Sequence, residues 1–199
     1  MEKTTINNLK TLKETKFLTL YDATYHNRKG QEKHWMIASR KTPAVLRATY
    51  FEEAKEKTDA VVLVAYHTPT HQLVLVKQMR IPLNDFVYEL PAGLLDSEEE
   101  IARATKRELR EETGLDLISI KNYQDQLYLS PGMTDESVAL VYCTCQGELS
   151  DAYLEDDETI EPLLVSKADA KALLESHPKI DIKTYLVLQQ FIAGVFDNF

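Results

Sequence analysis

Glu108, Glu111 and Glu112 fall within one short run, Arg107-Glu108-Leu109-Arg110-Glu111-Glu112-Thr113-Gly114. On an α-helix, residues three and four apart share a face. The three carboxylates would then form one patch, with Glu108 and Glu112 projecting side by side. Like charges at that spacing destabilise a bare helix by roughly a few tenths of a kcal/mol per pair. A divalent cation removes that penalty. Hard carboxylate oxygens, few in number and sharing the cation with a phosphorylated substrate, suit Mg2+, with Mn2+ as the alternative.

Such a patch needs a helix beneath it and a turn beside it. Ser97 and Glu100 form a Ser-x-x-Glu capping box that starts the helix near Ser97. Ala102, Thr105 and Leu109 give it a flank to bury, and Gly114 ends it in the C′ position. Gly93 lets the backbone turn ahead of it. Further upstream, residues 16–26 and 33–40 flank Asn27-Arg28-Lys29-Gly30, a turn signal, and read as a β-hairpin. The apolar runs Ala60–Tyr66 and Gln72–Gln78 flank His67-Thr68-Pro69-Thr70-His71 and read as a second hairpin, and Phe86–Leu90 is a short strand leading into Pro91-Ala92-Gly93. Strands follow at 117–129, 137–145 and 160–165, and helices at Lys167–Ser176 and Ile182–Ala193. There is no internal repeat and no low-complexity linker. The pattern predicts an α/β (α+β mixed) fold with a mixed sheet sandwiched between helices.

Composition narrows the class. With 23 basic and 32 acidic residues the formal charge is −9, and the acids are densest between Asp151 and Glu161. No basic stripe stands out, which argues against nucleic acid as a partner. An anionic small substrate stays compatible, because bound metal inverts the local charge. Cys143 and Cys145 lie two apart in a strand-like run, so they share a face without suiting a disulfide. Without His or Cys partners at zinc spacing they read as free, buried or half-buried thiols. The N-terminus, Met-Glu-Lys-Thr-Thr-Ile-Asn-Asn, has no apolar signal core and no run reaches transmembrane length. The expectation is a cytoplasmic protein with no membrane partner.

The stretch from Gly93 to Leu115 resembles the signature of the Nudix hydrolases. That signature is Gly, five residues, Glu, seven residues, then Arg-Glu-aliphatic-any-Glu-Glu-any-Gly-aliphatic. Gly93, Glu99, Arg107, Glu108, Leu109, Glu111, Glu112, Gly114 and Leu115 fill every position. The resemblance implies an α/β/α sandwich and metal-dependent hydrolysis of a nucleoside diphosphate linked to another group. Metal ions would neutralise the diphosphate oxygens and acidify the attacking water, so the carboxylates hold metal and attack nothing. Glu108 and Glu112 are the principal metal ligands, with Glu111 assisting in catalysis, and the resemblance adds the carbonyl of Ala92. Glu99 and Arg107 brace helix and loop by ion pairing. On an ideal helix Glu99 would stand about 180° from Glu108, which argues against ligation.

Three features resemble the ADP-ribose pyrophosphatases. They are Glu89-Leu90-Pro91-Ala92-Gly93 before the box, Pro131 sixteen residues after Leu115, and a tail with Glu158-Thr159-Ile160-Glu161 and Asp181-Ile182-Lys183-Thr184. The resemblance covers about residues 60–190. It implies cleavage of ADP-ribose to AMP and ribose 5-phosphate. Another nucleoside diphosphate sugar is the alternative substrate, and a non-catalytic ADP-ribose sensor is a third reading that the intact glutamates disfavour. An acidic residue after Pro131 would position or deprotonate the water. Glu136 is the choice and Asp135 its rival. Substrate contacts implied by the family fall on Trp35, Arg40, Arg80, Glu89 and Met133. Trp35, the single tryptophan, either stacks on adenine or packs. Residues 1–47 form an N-terminal β extension to a catalytic domain at 48–199. Its hairpin, rich in apolar side chains, is marginal alone and should pack on its own core or on a second copy. The resemblance implies the second, a twofold homodimer in which Trp35 or its neighbours reach the partner's site.

Overall fold

The computed structural model describes residues 4–96, 98–155, 158–197 and 199. The chain forms two compact units, one of Met1–Asp59 with Gln126–Val138, the other of Ala60–Asp125 with Ala139–Phe199. Among the described residues no helix is long and apolar enough to cross a membrane.

The first unit holds a three-stranded antiparallel sheet in the order β1 (Ile6–Glu14), β2 (Thr19–His26), β3 (Glu32–Ser39). The expected hairpin is the β2–β3 pair, closed by a turn in which Gly30 donates its N–H to the Asn27 carbonyl. Strand β1 was not legible because Ile6, Leu9 and Leu12 recur every third residue. Two register shifts in its pairing with β2 accommodate that spacing. A helix absent from the sequence reading, α1 (Pro43–Phe51), follows. Its signal was present: Thr42 caps it, accepting from the Val45 N–H, and Pro43 sits in the first turn. Leu46 of α1 buries against Leu9, Tyr21 and Ala23 of the sheet, giving this unit its own small core.

The second unit is built on a sheet of β4 (Ala60–His67), β5 (Gln72–Arg80), β6 (Asp85–Glu89), β7 (Ala92–Leu94), β8 (Asp116–Tyr128), β9 (Ser137–Gln146) and β10 (Ile160–Val165). The main path runs β10-β5-β4-β9-β8, with β6 added on β5 and β7 on β4. The β10–β5, β5–β4, β5–β6 and β4–β7 pairs are antiparallel. Bonds from Asp59 to Ser137 and from Thr68 to Cys145 run in step along β4 and β9, so that pair is parallel and the sheet is mixed. All eight residues of β4 are buried, as a strand covered on both faces requires. Alternation then assigns the faces. Val61, Leu63 and Ala65 share a cluster with Ala104 and Leu109 of α2 (Ile101–Thr113), whereas Tyr66 packs on Phe191 and Phe196 at the end of α4 (Ile182–Ile192). Helix α3 (Lys167–Glu175) starts with a reciprocal capping box between Ser166 and Asp169. The sandwich predicted from the sequence is the observed architecture.

Two details of α2 differ from the sequence reading. The helix begins at Ile101 with Glu100 in the capping position and no side-chain cap bond. Ser97, expected to cap it, lies outside the described residues. Ala102 is exposed, and the buried flank is Ala104, Thr105, Glu108, Leu109, Glu112 and Thr113. With the start at Ile101, Ala102 falls in the first turn, ahead of the buried flank. At the other end Gly114 adopts φ 74°, and a Cβ there would meet Ser150 at 2.6 Å, so glycine serves both the helix stop and the close approach.

Cys143 and Cys145 are free and buried on the α2 face of the sheet, and burial pushes both thiols up to about 12. Thiolate is the reactive form, so at pH 8 only about one thiol in 10⁴ is ionised. The native protein should release almost no chromophore from Ellman's reagent over minutes, and two equivalents per chain once unfolded in guanidinium. Rapid labelling without denaturant would show the β9 core opening freely.

Candidate active site

The glutamates of α2 meet a short strand. β7 pairs with β4 through Ala60–Leu94, Val61–Gly93 and Val62–Ala92, which sets the Ala92–Gly93 backbone against the helix. The Ala92 N–H donates to Glu112 Oε2 at 3.0 Å. Glu108 lies so close to Gly93 that a Cβ there would come within 1.9 Å of its carboxylate. Both carboxylates are withdrawn from water, Glu108 at 7 % exposure and Glu112 at 3 %. Burial raises the Glu108 carboxyl to about 7, against the pull of the Arg107 guanidinium. Burial also raises Glu112 well above the usual carboxylate range, opposed by the Ala92 N–H and reinforced by the Glu108 charge.

Arg107 is the hub of the patch. It binds Glu99 at 2.8 Å, the Leu94 carbonyl at 3.0 Å, Glu108 at 2.6 Å and Glu111 at 3.0 Å. The expected brace to Glu99 is present, but Arg107 also compensates two of the three glutamates, which spacing alone did not reveal. Glu99 precedes the helix, so the helical-wheel argument about its direction does not apply. Its side chain is buried, and Arg107 holds its carboxyl below the usual range. Glu111 is the most exposed of the three glutamates.

The donor chemistry fits a hard divalent cation: two buried carboxylates beside a strand backbone where glycine leaves room for Glu108. Few protein oxygens are gathered. Among the described residues no three acidic, His or Cys groups converge. That count suits a cation that keeps waters and substrate phosphates as ligands. Elsewhere in this unit, Arg80 and Glu89 pair with each other through two bonds of 2.7 and 2.6 Å. Both were read as substrate contacts. Each is the other's partner across β5 and β6, although the register sets Arg80 opposite Asp85 and Glu89 opposite Val76.

The NUDIX domain model matches residues 56–186. The chain belongs to the Nudix family. It is 31% identical over 173 residues to "Putative nudix hydrolase 2" of Caenorhabditis elegans, covering 83% of this chain and 74% of that one. It is 34% identical over 134 residues to an "ADP-ribose pyrophosphatase" of Bacillus subtilis, covering 67% and 72%. It is 25% identical over 185 residues to an "ADP-sugar pyrophosphatase" of Mus musculus, covering 87% and 81%. A solved structure titled "Crystal structure of ADP compounds hydrolase" superposes with a TM-score of 0.68 over 98% of this chain and 97% of that chain, at 17% identity.

The remaining Nudix candidates lie in the first unit. The loop 130–136 is tied to β3 and the residues after it. Trp35 Nε1 donates to the Gly132 carbonyl at 3.0 Å, and the Ala38 N–H to the Met133 carbonyl at 3.0 Å. Arg40 Nε reaches Glu136 Oε1 at 2.5 Å. A cavity of about 290 Å³ is lined by Trp35, Tyr50, Tyr128, Pro131 and Met133, among others. Tyr50, Tyr128 and Glu56 escaped the sequence reading, because their common cavity depends on α1 and on the end of β8. Lys41 escaped it too. It is buried between Asp59 and Asp135. Burial alone would lower its pKa, but the bonds to these two carboxylates outweigh that and raise it.

The contact between Gly93 and Glu108 gives a direct test. Gly93→Ala should melt within a few degrees of the parent, because the obstructed atoms end a side chain. The carboxylate must still leave its place against β7. Activity should therefore fall at least about tenfold in kcat, with a weaker response to divalent cation. A Gly93→Ala enzyme with parental kcat and cation dependence would show that this approach has no catalytic role.

Proposed function

We propose that this Nudix protein hydrolyses the diphosphate bond of ADP-ribose, releasing AMP and ribose 5-phosphate. The observation that carries the reading is the buried Glu108–Glu112 pair set against the Ala92–Gly93 backbone inside a complete Nudix signature. Relatives named ADP-ribose pyrophosphatase in Bacillus subtilis and Saccharomyces cerevisiae support the substrate. Glu108, Glu112 and the Ala92 carbonyl would hold Mg2+, with Mn2+ as a substitute, and Glu111 assists. When bound, the cation neutralises diphosphate oxygens and acidifies water. Arg107 and Glu99 keep the helix and the β7 turn in register, and Gly93 leaves room for Glu108. Glu136 is assigned the attacking water, as base or as its positioner, and Arg40 Nε holds that carboxylate at 2.5 Å. Trp35, Arg40, Met133 and the Arg80–Glu89 pair are assigned to substrate. A second nucleoside diphosphate sugar is the alternative, supported by the relative named ADP-sugar pyrophosphatase.

AMP release from a panel of nucleoside diphosphate compounds, with Mg2+ and with Mn2+, tests the substrate. Glu112→Gln should abolish most turnover while the protein melts normally. Near-parental hydrolysis by a folded Glu112→Gln protein would remove Glu112 from the metal site. Glu136→Gln should lower kcat by about 10²–10⁴-fold with KM nearly constant. If Asp135→Asn shows that loss and Glu136→Gln does not, Asp135 takes the role.

The assembly is proposed as a homodimer formed through the N-terminal extension, residues 1–47, beside a catalytic domain at 48–199. The exposed apolar side chains Phe17, Leu18, Trp35 and Met36 support it. Light scattering at micromolar concentration should give twice the monomer mass, and Phe17→Glu should lower it. A parent protein that scatters as a monomer rules out the dimer. A cytoplasmic location is proposed on the two free thiols.

A further inference from the structure

We infer that Lys41 is a positioning residue for the loop 130–136, holding Glu136 by fixing both of its chain neighbours. The inference rests on the proposed role of Glu136 and concerns how that side chain is kept in place.

The geometry lies wholly within the first unit. Lys41 Nζ reaches Asp135 Oδ2 at 2.9 Å and the Asp59 carboxylate at 3.3 Å. Asp59 Oδ2 in turn accepts from the Ser137 N–H at 2.9 Å. Asp135 and Ser137 are the residues on either side of Glu136. The ammonium holds Asp135 directly and reaches Ser137 through Asp59, whose N–H also donates to the Ser137 carbonyl at 2.9 Å. Other bonds hold the main chain of this segment: the Leu129 N–H donates to the Glu136 carbonyl at 3.2 Å and the Glu136 N–H to Thr134 Oγ1 at 3.1 Å. Trp35 and Ala38 bind main-chain carbonyls at Gly132 and Met133, nearer the start of the loop. Arg40 holds Glu136 itself, but its side chain is 40 % exposed, where water screens an ion pair. The Lys41 side chain is 11 % exposed, Asp59 13 % and Asp135 16 %.

Charge makes the arrangement sensitive to this one residue. Two carboxylates share a largely buried site with the Lys41 ammonium. The buried Oδ1 of Asp135 has no hydrogen-bond partner among the described residues. Without the ammonium, two like charges face each other with little water between them. Asp59 is held by the backbone of β9, whereas Asp135 sits on a loop. Asp135 therefore moves, and Glu136 moves with it. Lys41 is itself well placed to bear the load: Tyr21, wholly buried, donates its hydroxyl to the Lys41 carbonyl at 2.8 Å and fixes the backbone. A displacement of about 1 Å at a reacting group can cost on the order of 10²-fold in rate.

The single tryptophan supplies a readout that does not depend on turnover, because Trp35 is bonded to the loop. Lys41→Met, Lys41→Arg, Glu136→Gln and the Lys41→Met/Glu136→Gln pair are compared for kcat and KM on ADP-ribose and for acrylamide quenching of Trp35. Lys41→Met should lower kcat about 10–100-fold with KM within about threefold, and should increase quenching. Lys41→Arg should recover most of both. In the Glu136→Gln background Lys41→Met should add less than about a twofold loss, since it acts through that carboxylate. Parental kcat and quenching in folded Lys41→Met overturn the inference, and so does an undiminished loss in the Glu136→Gln background. If Glu136→Gln alone keeps parental kcat, the assignment of Glu136 fails. The quenching then still decides whether Lys41 holds the loop. Should Lys41→Met not fold, Lys41→Gln, which keeps a donor without the charge, is read in the same way.

Discussion

Two carboxylates buried side by side are the constraint on which the second unit depends. Removing one ionised group from water costs several kcal/mol unless it is paired, and α2 removes two within one turn. The compensation is local and specific. The Ala92 N–H meets Glu112, the Arg107 guanidinium meets Glu108, and Gly93 omits the side chain that would push Glu108 away. The helix can be held that close only because Ala104 and Leu109, on its flank, are locked into the sheet core with Val61, Leu63 and Ala65. Apolar packing thus supplies the force that brings charge where charge resists going. A bound cation would relieve what the protein alone leaves partly uncompensated.

Arg107 shows how one residue can serve structure and chemistry at once. Its contacts with Glu99 and the Leu94 carbonyl tie the segment before α2 to the helix. Its contacts with Glu108 and Glu111 reduce their mutual repulsion. Arginine suits this better than lysine because its planar fork presents several donors in fixed directions.

The first unit solves a different problem by different means. Its apolar core is small, and its loop 130–136 is placed by discrete polar bonds. Main-chain carbonyls are held from Trp35 and Ala38, and carboxylates from Arg40 and Lys41. Directional bonds fix orientation more tightly than apolar contact, which is non-directional. They also make the loop depend on single charges in a way the sheet core does not.

Most strands and helices were legible in the sequence because their signals are local. The apolar run Ala60–Tyr66 and the Gly114 stop each act within a few residues. The glutamate patch was legible for the same reason, since i, i+3 and i, i+4 spacing fixes which side chains share a face. Strand β1 was missed because its bulges break the twofold period, and α1 was missed although Thr42-Pro43 marked it. The pairing of Arg80 with Glu89, the Arg107 hub and the Lys41 bridge between Asp59 and Asp135 were beyond the sequence. Each depends on side chains from separate segments meeting in space. Local periodicity determined which residues stand together on one element. Only the tertiary structure decided which charges meet across elements, because side-chain electrostatics depends on distance and burial, and neither is a property of spacing along the chain.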